Sequence, residues 1–241
     1  MPVVSSVVRV VLGAAALWCV APSVSAGLIT GLFNSGVDAQ GALLSDVAID
    51  PHYRVSVLVP GQVASPDAFL AISNQFPIGP WLANGPASKW IQPDIRSISN
   101  ALILNNDPNA AVLDVIYIYR TTFSIDPHAD LSSIVIRGQF AADNGASIEL
   151  NGVATGISTP YPLGFKAFTS FTLTQGFKSG INELTFVVRN MKQVGGNPTG
   201  LRVEFSSLTA TSANVVPEPM SCVAVLGLCG TLAVFRGRRR L

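Results

Sequence analysis

Through the middle of the chain, hydrophobic and polar positions alternate with a period of two. In "VIYIYRTTFSI", Tyr117, Tyr119, Thr121, Phe123 and Ile125 share one face, and Ile116, Ile118, Arg120, Thr122 and Ser124 share the other. That period belongs to a strand, because successive side chains leave a pleated backbone on opposite sides. "LSSIVIRGQF" sets Ile134, Ile136 and Phe140 opposite Arg137 and Gln139. "NELTFVVRN" carries Leu184, Phe186 and Val188 on one face, and "GLRVEFSSL" sets Leu201, Val203 and Phe205 against Arg202 and Glu204. One apolar and one polar face marks antiparallel strands half-buried over a core. Further strands are expected at residues 54–59, 147–150 and 168–174, each bounded by Gly, Pro, Asn or Asp. Seven or eight short strands with no amphipathic helix predict an all-β fold, an antiparallel two-sheet sandwich and most simply a jelly roll. Residues 27–50, rich in Gly and Ala, read as a first strand or a mobile lead-in segment.

Both ends break the pattern. Residues 1–26 hold Arg9, an apolar stretch and then Val24-Ser25-Ala26, the order of a secretory signal peptide cut after Ala26. The stretch is shorter than the ~20 apolar residues of a stable span. Residues 27–213 remain as one exported domain, long enough to bury a core of its own. All three cysteines, Cys19, Cys222 and Cys229, lie outside it, so neither disulfides nor a Cys-rich zinc site can hold it together. Of 15 basic residues, Arg9 and four tail arginines fall outside the domain, as does Glu218 of the 14 acidic ones, which leaves it mildly acidic. No basic stripe for nucleic acid is visible.

The chain finishes in "VPEPMSCVAVLGLCGTLAVFRGRRRL". Residues 220–235 would cover about 24 Å as a helix at ~1.5 Å per residue, slightly short of a hydrocarbon core of ~30 Å. Arg236, Arg238, Arg239 and Arg240 follow at once and favour the cytoplasmic side, which leaves the domain beyond the inner membrane. Pro217 and Pro219 stop a helix from extending upstream and leave Glu218 in an extended tripeptide. In this order the motif Pro217-Glu218-Pro219, the single apolar transmembrane helix and the Arg-rich end of residues 214–241 resemble the PEP-CTERM sorting signal of Gram-negative, polysaccharide-producing bacteria. The resemblance implies recognition by an exosortase, transient anchoring in the inner membrane, and delivery to the cell surface or extracellular matrix.

A second resemblance covers about residues 80–210. The aromatic-rich strand at 119–125, Ala142-Asp143-Asn144, Leu150-Asn151-Gly152 and Gly180-Ile181-Asn182-Glu183-Leu184 are similar to pieces of the galactose-binding-like jelly roll. That likeness implies the sandwich and, more weakly, carbohydrate recognition. Asn151-Gly152 and Gly180 with Asn182 also have a plain reading as turn chemistry. Asp143-Asn144-Gly145 is open between a simple turn and a loop that offers its carboxylate and amide to a sugar or to a structural Ca²⁺.

Organised catalytic motifs are missing. His52 and His128 each adjoin a proline in what read as exposed turns, and no H-E-x-x-H, G-x-S-x-G, P-loop or dinucleotide fingerprint occurs. Asp143, Glu149, Glu183 and Glu204 are the carboxylates from which a glycosidase pair would have to come, and Glu149 and Glu204 read as residues of a solvated sheet face. No cofactor and no enzymatic activity are expected. The sharper expectation is weak carbohydrate binding, because sugars stack C–H faces on aromatic rings and pair their hydroxyls with polar groups. "PIGPWLANGPASKWIQP" supplies Trp81, Asn84 and Lys89 as a possible loop platform, with Trp90 the better candidate for the core. The competing reading is a purely structural matrix or envelope protein with no small ligand.

Overall fold

The computed structural model describes residues 27–58, 69–73, 79–93, 114–192 and 198–213. The expected leader, the Pro217-Glu218-Pro219 motif, the apolar span and the terminal arginines lie outside these residues. Eleven strands are present among the described residues: β1 (Ile29–Thr30), β2 (Ile49–Leu58), β3 (Phe69–Ser73), β4 (Ile91–Pro93), β5 (Val115–Ile125), β6 (Val135–Asp143), β7 (Gly145–Leu150), β8 (Val153–Ser158), β9 (Thr169–Leu173), β10 (Gly180–Asn190) and β11 (Gly200–Thr209). The one helical element among them is a single 3-10 turn at Leu131–Ser133, capped by the Asp130 carboxylate. No described helix is long and apolar enough to cross a membrane.

Every pairing is antiparallel, and the strands run β8-β7-β10-β5-β2-β3-β4-β11-β6-β9, with β1 added against β5. This path folds over into two facing layers, β8-β7-β10-β5-β2 and β11-β6-β9, joined through β3 and β4. The alternation of β5 explains why. Tyr117, Tyr119, Thr121, Phe123 and Ile125 are all buried, while Thr122 and Ser124 between them are exposed. Leu184, Phe186 and Val188 of β10 continue that face, and Ile136 and Phe140 of β6 with Leu201 and Val203 of β11 oppose it. The layers meet where the Phe140 and Phe186 rings lie 5.7 Å apart. Each such side chain contributes roughly 1.5–3 kcal/mol by leaving water.

The β7–β8 hairpin turns on Asn151 (φ 53°) and Gly152 (φ 77°), the two positive dihedrals that a tight two-residue turn requires. Asn182 does more than end a turn. It is wholly buried, its Oδ1 accepts from Lys178 N and Asn151 Nδ2 (2.9 Å each), and its Nδ2 donates to the Lys178 and Gly180 carbonyls. Asn151 Oδ1 in turn accepts from Glu183 N, so the two asparagines lock the hairpin to β10.

One expectation is corrected here. His52 lies inside β2 rather than in an exposed turn: it is half-buried and its ring stacks on Phe33 at 3.8 Å. Of the two readings of residues 27–50, the first strand is the one present: β1 leads into a loop packed onto the body, and Ile49 and Asp50 already belong to β2. The buried Asp50 carboxylate accepts from Gly36 N and His52 N, and Ser35 Oγ donates to Lys89 O while accepting from Val203 N. Burial pushes the Asp50 carboxyl above its usual range, and those amide bonds pull against it.

Candidate functional site

The segment expected to be a loop platform is instead a cover. Residues 79–93 cross the outer face of β6 and β11, where Gly200 makes room for them: a Cβ there would meet the Trp90 and Trp81 rings at 3.2 and 3.3 Å. Trp81 is only 9% exposed and packs on the fully buried Trp90 with ring centroids 4.5 Å apart. A sugar has no free Trp81 face on which to stack, which corrects the assignment of that ring to a ligand surface. Asn84 Oδ1 accepts from Trp90 N at 2.8 Å, and Trp90 Nε1 donates to Leu82 O at 2.7 Å. Lys89 is nearly buried, its ammonium donating to Leu44 O (3.0 Å) and paired with Asp46. These three residues hold the cover shut.

Beneath it runs a buried polar chain. Arg202 Nε donates to Ser88 Oγ (2.7 Å) and Nη2 to Glu204 Oε1 (2.9 Å), while Nη1 bonds Ala83 O and the guanidinium lies 4.7 Å from the Phe168 ring centre. Ser88 Oγ and Gln139 Nε2 also donate to the Glu204 carboxylate, each at 2.7 Å. Burial alone would raise the Glu204 carboxyl, but these donors and Arg202 hold it below its ordinary value. Glu204 is therefore not a residue of a freely solvated face.

Asp143 pairs with Gly200 across the β6–β11 ladder, so its side chain leaves the sheet on the Trp81 side. It is 4% exposed, and its carboxyl has no hydrogen-bonding partner among the described residues. Burial raises its pKa to about 7. Asn144, the next residue, works as a clasp. Its N–H donates to Arg189 O (3.0 Å), its carbonyl accepts from Gly164 N (2.9 Å) and its Oδ1 accepts from Met191 N (2.7 Å). Among the described residues no group of three or more His, Cys, Asp or Glu side chains converges as a metal site.

What Asn144 clasps together is a cleft of about 310 Å³ at the end of the β7-β10-β5 layer. Gly145 and Ser147 form its floor, Val187, Arg189 and Ile116 its far side, and Ser158, Thr159 and Tyr161 its near wall. The register explains the grouping: Gly145 pairs with Arg189 and Ser147 with Val187, and Arg189 pairs in turn with Ile116. Tyr161 leans over Gly145, where a Cβ would meet its ring at 3.3 Å. The Arg189 guanidinium sits 4.5 Å from the Tyr161 ring centre and is ion-paired to Asp114, which also accepts the Tyr161 hydroxyl at 3.2 Å. Loss of surrounding water, and then the Asp114 charge, hold the Tyr161 hydroxyl above its ordinary pKa, so it remains a neutral donor. Tyr161 (43%), Leu163 (49%) and Met191 (37%) leave an exposed apolar rim beside these polar groups. None of these was singled out from the sequence. The available signal was "TPYPLGF", an aromatic residue held between two prolines.

A second cleft of about 320 Å³ opens on the outer face of β9-β6-β11. Arg137 pairs with Thr172, and Gln139 with Ser170 and Glu204, so these side chains form adjoining rows. Asn34 walls one side, donating to Ala87 O and accepting from Phe205 N. A third groove, about 300 Å³, lies between edge strands β8 and β9 and has no charged lining residue.

The four carboxylates are divided between the layers. Glu149 and Glu183 are on β7 and β10, Asp143 and Glu204 on β6 and β11. Asp143 lies four residues from Gln139, the partner of Glu204, which places the two backbones about 13 Å apart at ~3.3 Å per residue. Glycosidase carboxyl pairs sit roughly 5–9.5 Å apart. Of the four it is Glu149 and Glu183 that are near neighbours, because Glu149 pairs with Thr185, two residues from Glu183 on the same face, a diagonal of roughly 7–8 Å.

Neither a family model nor a curated protein matches the chain. Among solved structures the chain is similar to the GH31 α-xylosidase of Xanthomonas citri, at 10% identity and a TM-score of 0.28 over 76% of this chain. The match spans 19% of that enzyme's length.

Proposed function

We propose that this chain is an exported, non-enzymatic sandwich of the galactose-binding-like jelly-roll type that binds carbohydrate weakly through the end cleft. In this reading the PEP-CTERM tail passes it through exosortase processing to the bacterial surface or extracellular polysaccharide. One observation carries the binding role: an exposed tyrosine ring stands over a shallow, small-residue floor with fixed hydrogen-bonding groups around it. An aromatic face beside Ser147, Ser158 and Arg189 offers the stacking and the paired donors and acceptors that a sugar ring needs. Because Asp114 neutralises Arg189, the cleft suits an uncharged sugar.

Titration calorimetry of the purified protein against neutral gluco-, galacto- and manno-oligosaccharides tests this. The expected result is binding of at least one series with a Kd on the order of 1 mM, near −4 kcal/mol, lost in Tyr161→Ala with the unfolding midpoint little changed. Absence of binding to all three series, or binding untouched by Tyr161→Ala, overturns the assignment and leaves a purely structural matrix role.

A further inference from the structure

Resting on the carbohydrate reading above, we propose a second site: the face cleft on β9-β6-β11 takes the carboxylate of an acidic sugar residue, with Arg137 as its anchor. Arg137 is exposed and has no hydrogen-bond or ion-pair partner among the described residues. It differs in this from Arg189, which Asp114 already holds, and from Arg202, which is spent on Ser88, Ala83 and Glu204. Glu204 is the one carboxylate lining the cleft, and Arg202 compensates its charge, so the surplus charge at the cleft is the Arg137 cation.

The groups beside Arg137 fit a sugar better than a bare anion. Ser170, Thr172 and Ser206 present three hydroxyls along the cleft, and none of the three is engaged with another described side chain. Gln139 has its Nε2 committed to Glu204, which fixes the amide and turns its Oε1 to act as an acceptor. A planar guanidinium grips a carboxylate through two parallel N–H bonds, while fixed hydroxyl and amide groups pair with the ring hydroxyls around it. The Asn34 bonds to Ala87 and Phe205 hold the cleft wall in place before any ligand arrives.

The probes are trigalacturonate and its neutral counterpart trigalactose, titrated separately into the purified protein at low and high salt. In Tyr161→Ala, where the end cleft is disabled, trigalacturonate should bind more tightly than trigalactose, and its affinity should fall as salt screens the ion contact. Arg137→Gln should cost about tenfold in trigalacturonate affinity, in line with loss of one charge-assisted pair. Its unfolding midpoint should stay at the wild-type value, and Arg137→Lys should recover part of the affinity. Tyr161→Ala should leave trigalacturonate binding intact, which separates failure of this site from failure of the end cleft. Equal affinity for the two probes in Tyr161→Ala, no binding of trigalacturonate, or an Arg137→Gln titration identical to wild type overturns the proposal.

Discussion

The Arg189 guanidinium lies 4.5 Å from the centre of the Tyr161 ring, and both side chains reach the same carboxylate, Asp114. A residue on a strand thereby fixes the orientation of a residue on a loop. The ring and the hydroxyl of Tyr161 have separable roles, because the ring walls the cleft and the hydroxyl only binds Asp114 at 3.2 Å. Tyr161→Phe should therefore keep neutral-glycan affinity within about fivefold of wild type, since a partly exposed hydrogen bond contributes only ~0.5–1 kcal/mol. Calorimetric comparison of the Phe and Ala variants checks this, and equal losses in both would locate the contact at the hydroxyl.

Asp143 sets a pH dependence. Its folded pKa is raised to about 7 from 3.8, so the folded state holds the proton more firmly than the unfolded one. By linkage its contribution to stability is fully present below 3.8 and is lost as pH rises through about 7. Asp143→Asn stays neutral throughout, so its stability relative to wild type should climb between about pH 4 and pH 8 and then level off. Urea midpoints of both proteins at several pH values measure that difference, and parallel curves would contradict it.

Trp81→Ala should act on stability. With its indole packed on Trp90 and Gly200 and 9% exposed, truncation opens a cavity beneath the cover and should cost roughly 3–5 kcal/mol. Denaturant unfolding would register it. A stable Trp81→Ala protein with impaired glycan binding would reinstate the platform reading.

Asn182→Ala should cost roughly 1–2 kcal/mol, since it removes a wholly buried side chain that bonds the Asn151 amide and the Lys178 and Gly180 carbonyls in a part-buried setting. Chemical unfolding with unchanged strand content by circular dichroism is the expected outcome. A loss of a few tenths would mean that water replaces the side chain.

The sequence made the long strands legible because each has one buried and one solvated face, as in β5, β6, β10 and β11. It hid β8, whose "VATGIS" is an edge strand exposed along most of its length and so carries no apolar alternation. It hid the start of β2 because Pro51 and His52 suggest a turn, and the pairing register does shift between Ile49 and Arg54. The sites were less readable than the fold. Trp81, Asn84 and Lys89 carry the residue types of a sugar platform, but the absent side chain of Gly200, 110 residues or more away, is what lets them pack as a lid. Asn144 carries the residue type of a ligand contact, but its bonds go to the backbone of Arg189, Met191 and Gly164, which it gathers around a cleft it does not line. Arg137, Ser170 and Thr172 look like ordinary outward residues until β9 lays them side by side.

The two clefts point away from each other, since each belongs to the outward face of a different layer and the Phe140–Phe186 contact lies between them. A straight glycan lodged in one cannot turn back to fill the other. Under the two proposed sites, full occupancy requires two separate strands per molecule, and a suspension of such molecules in mixed neutral and acidic polymer would gain junctions, thickening as protein is added and thinning again when short oligosaccharides crowd the strands out.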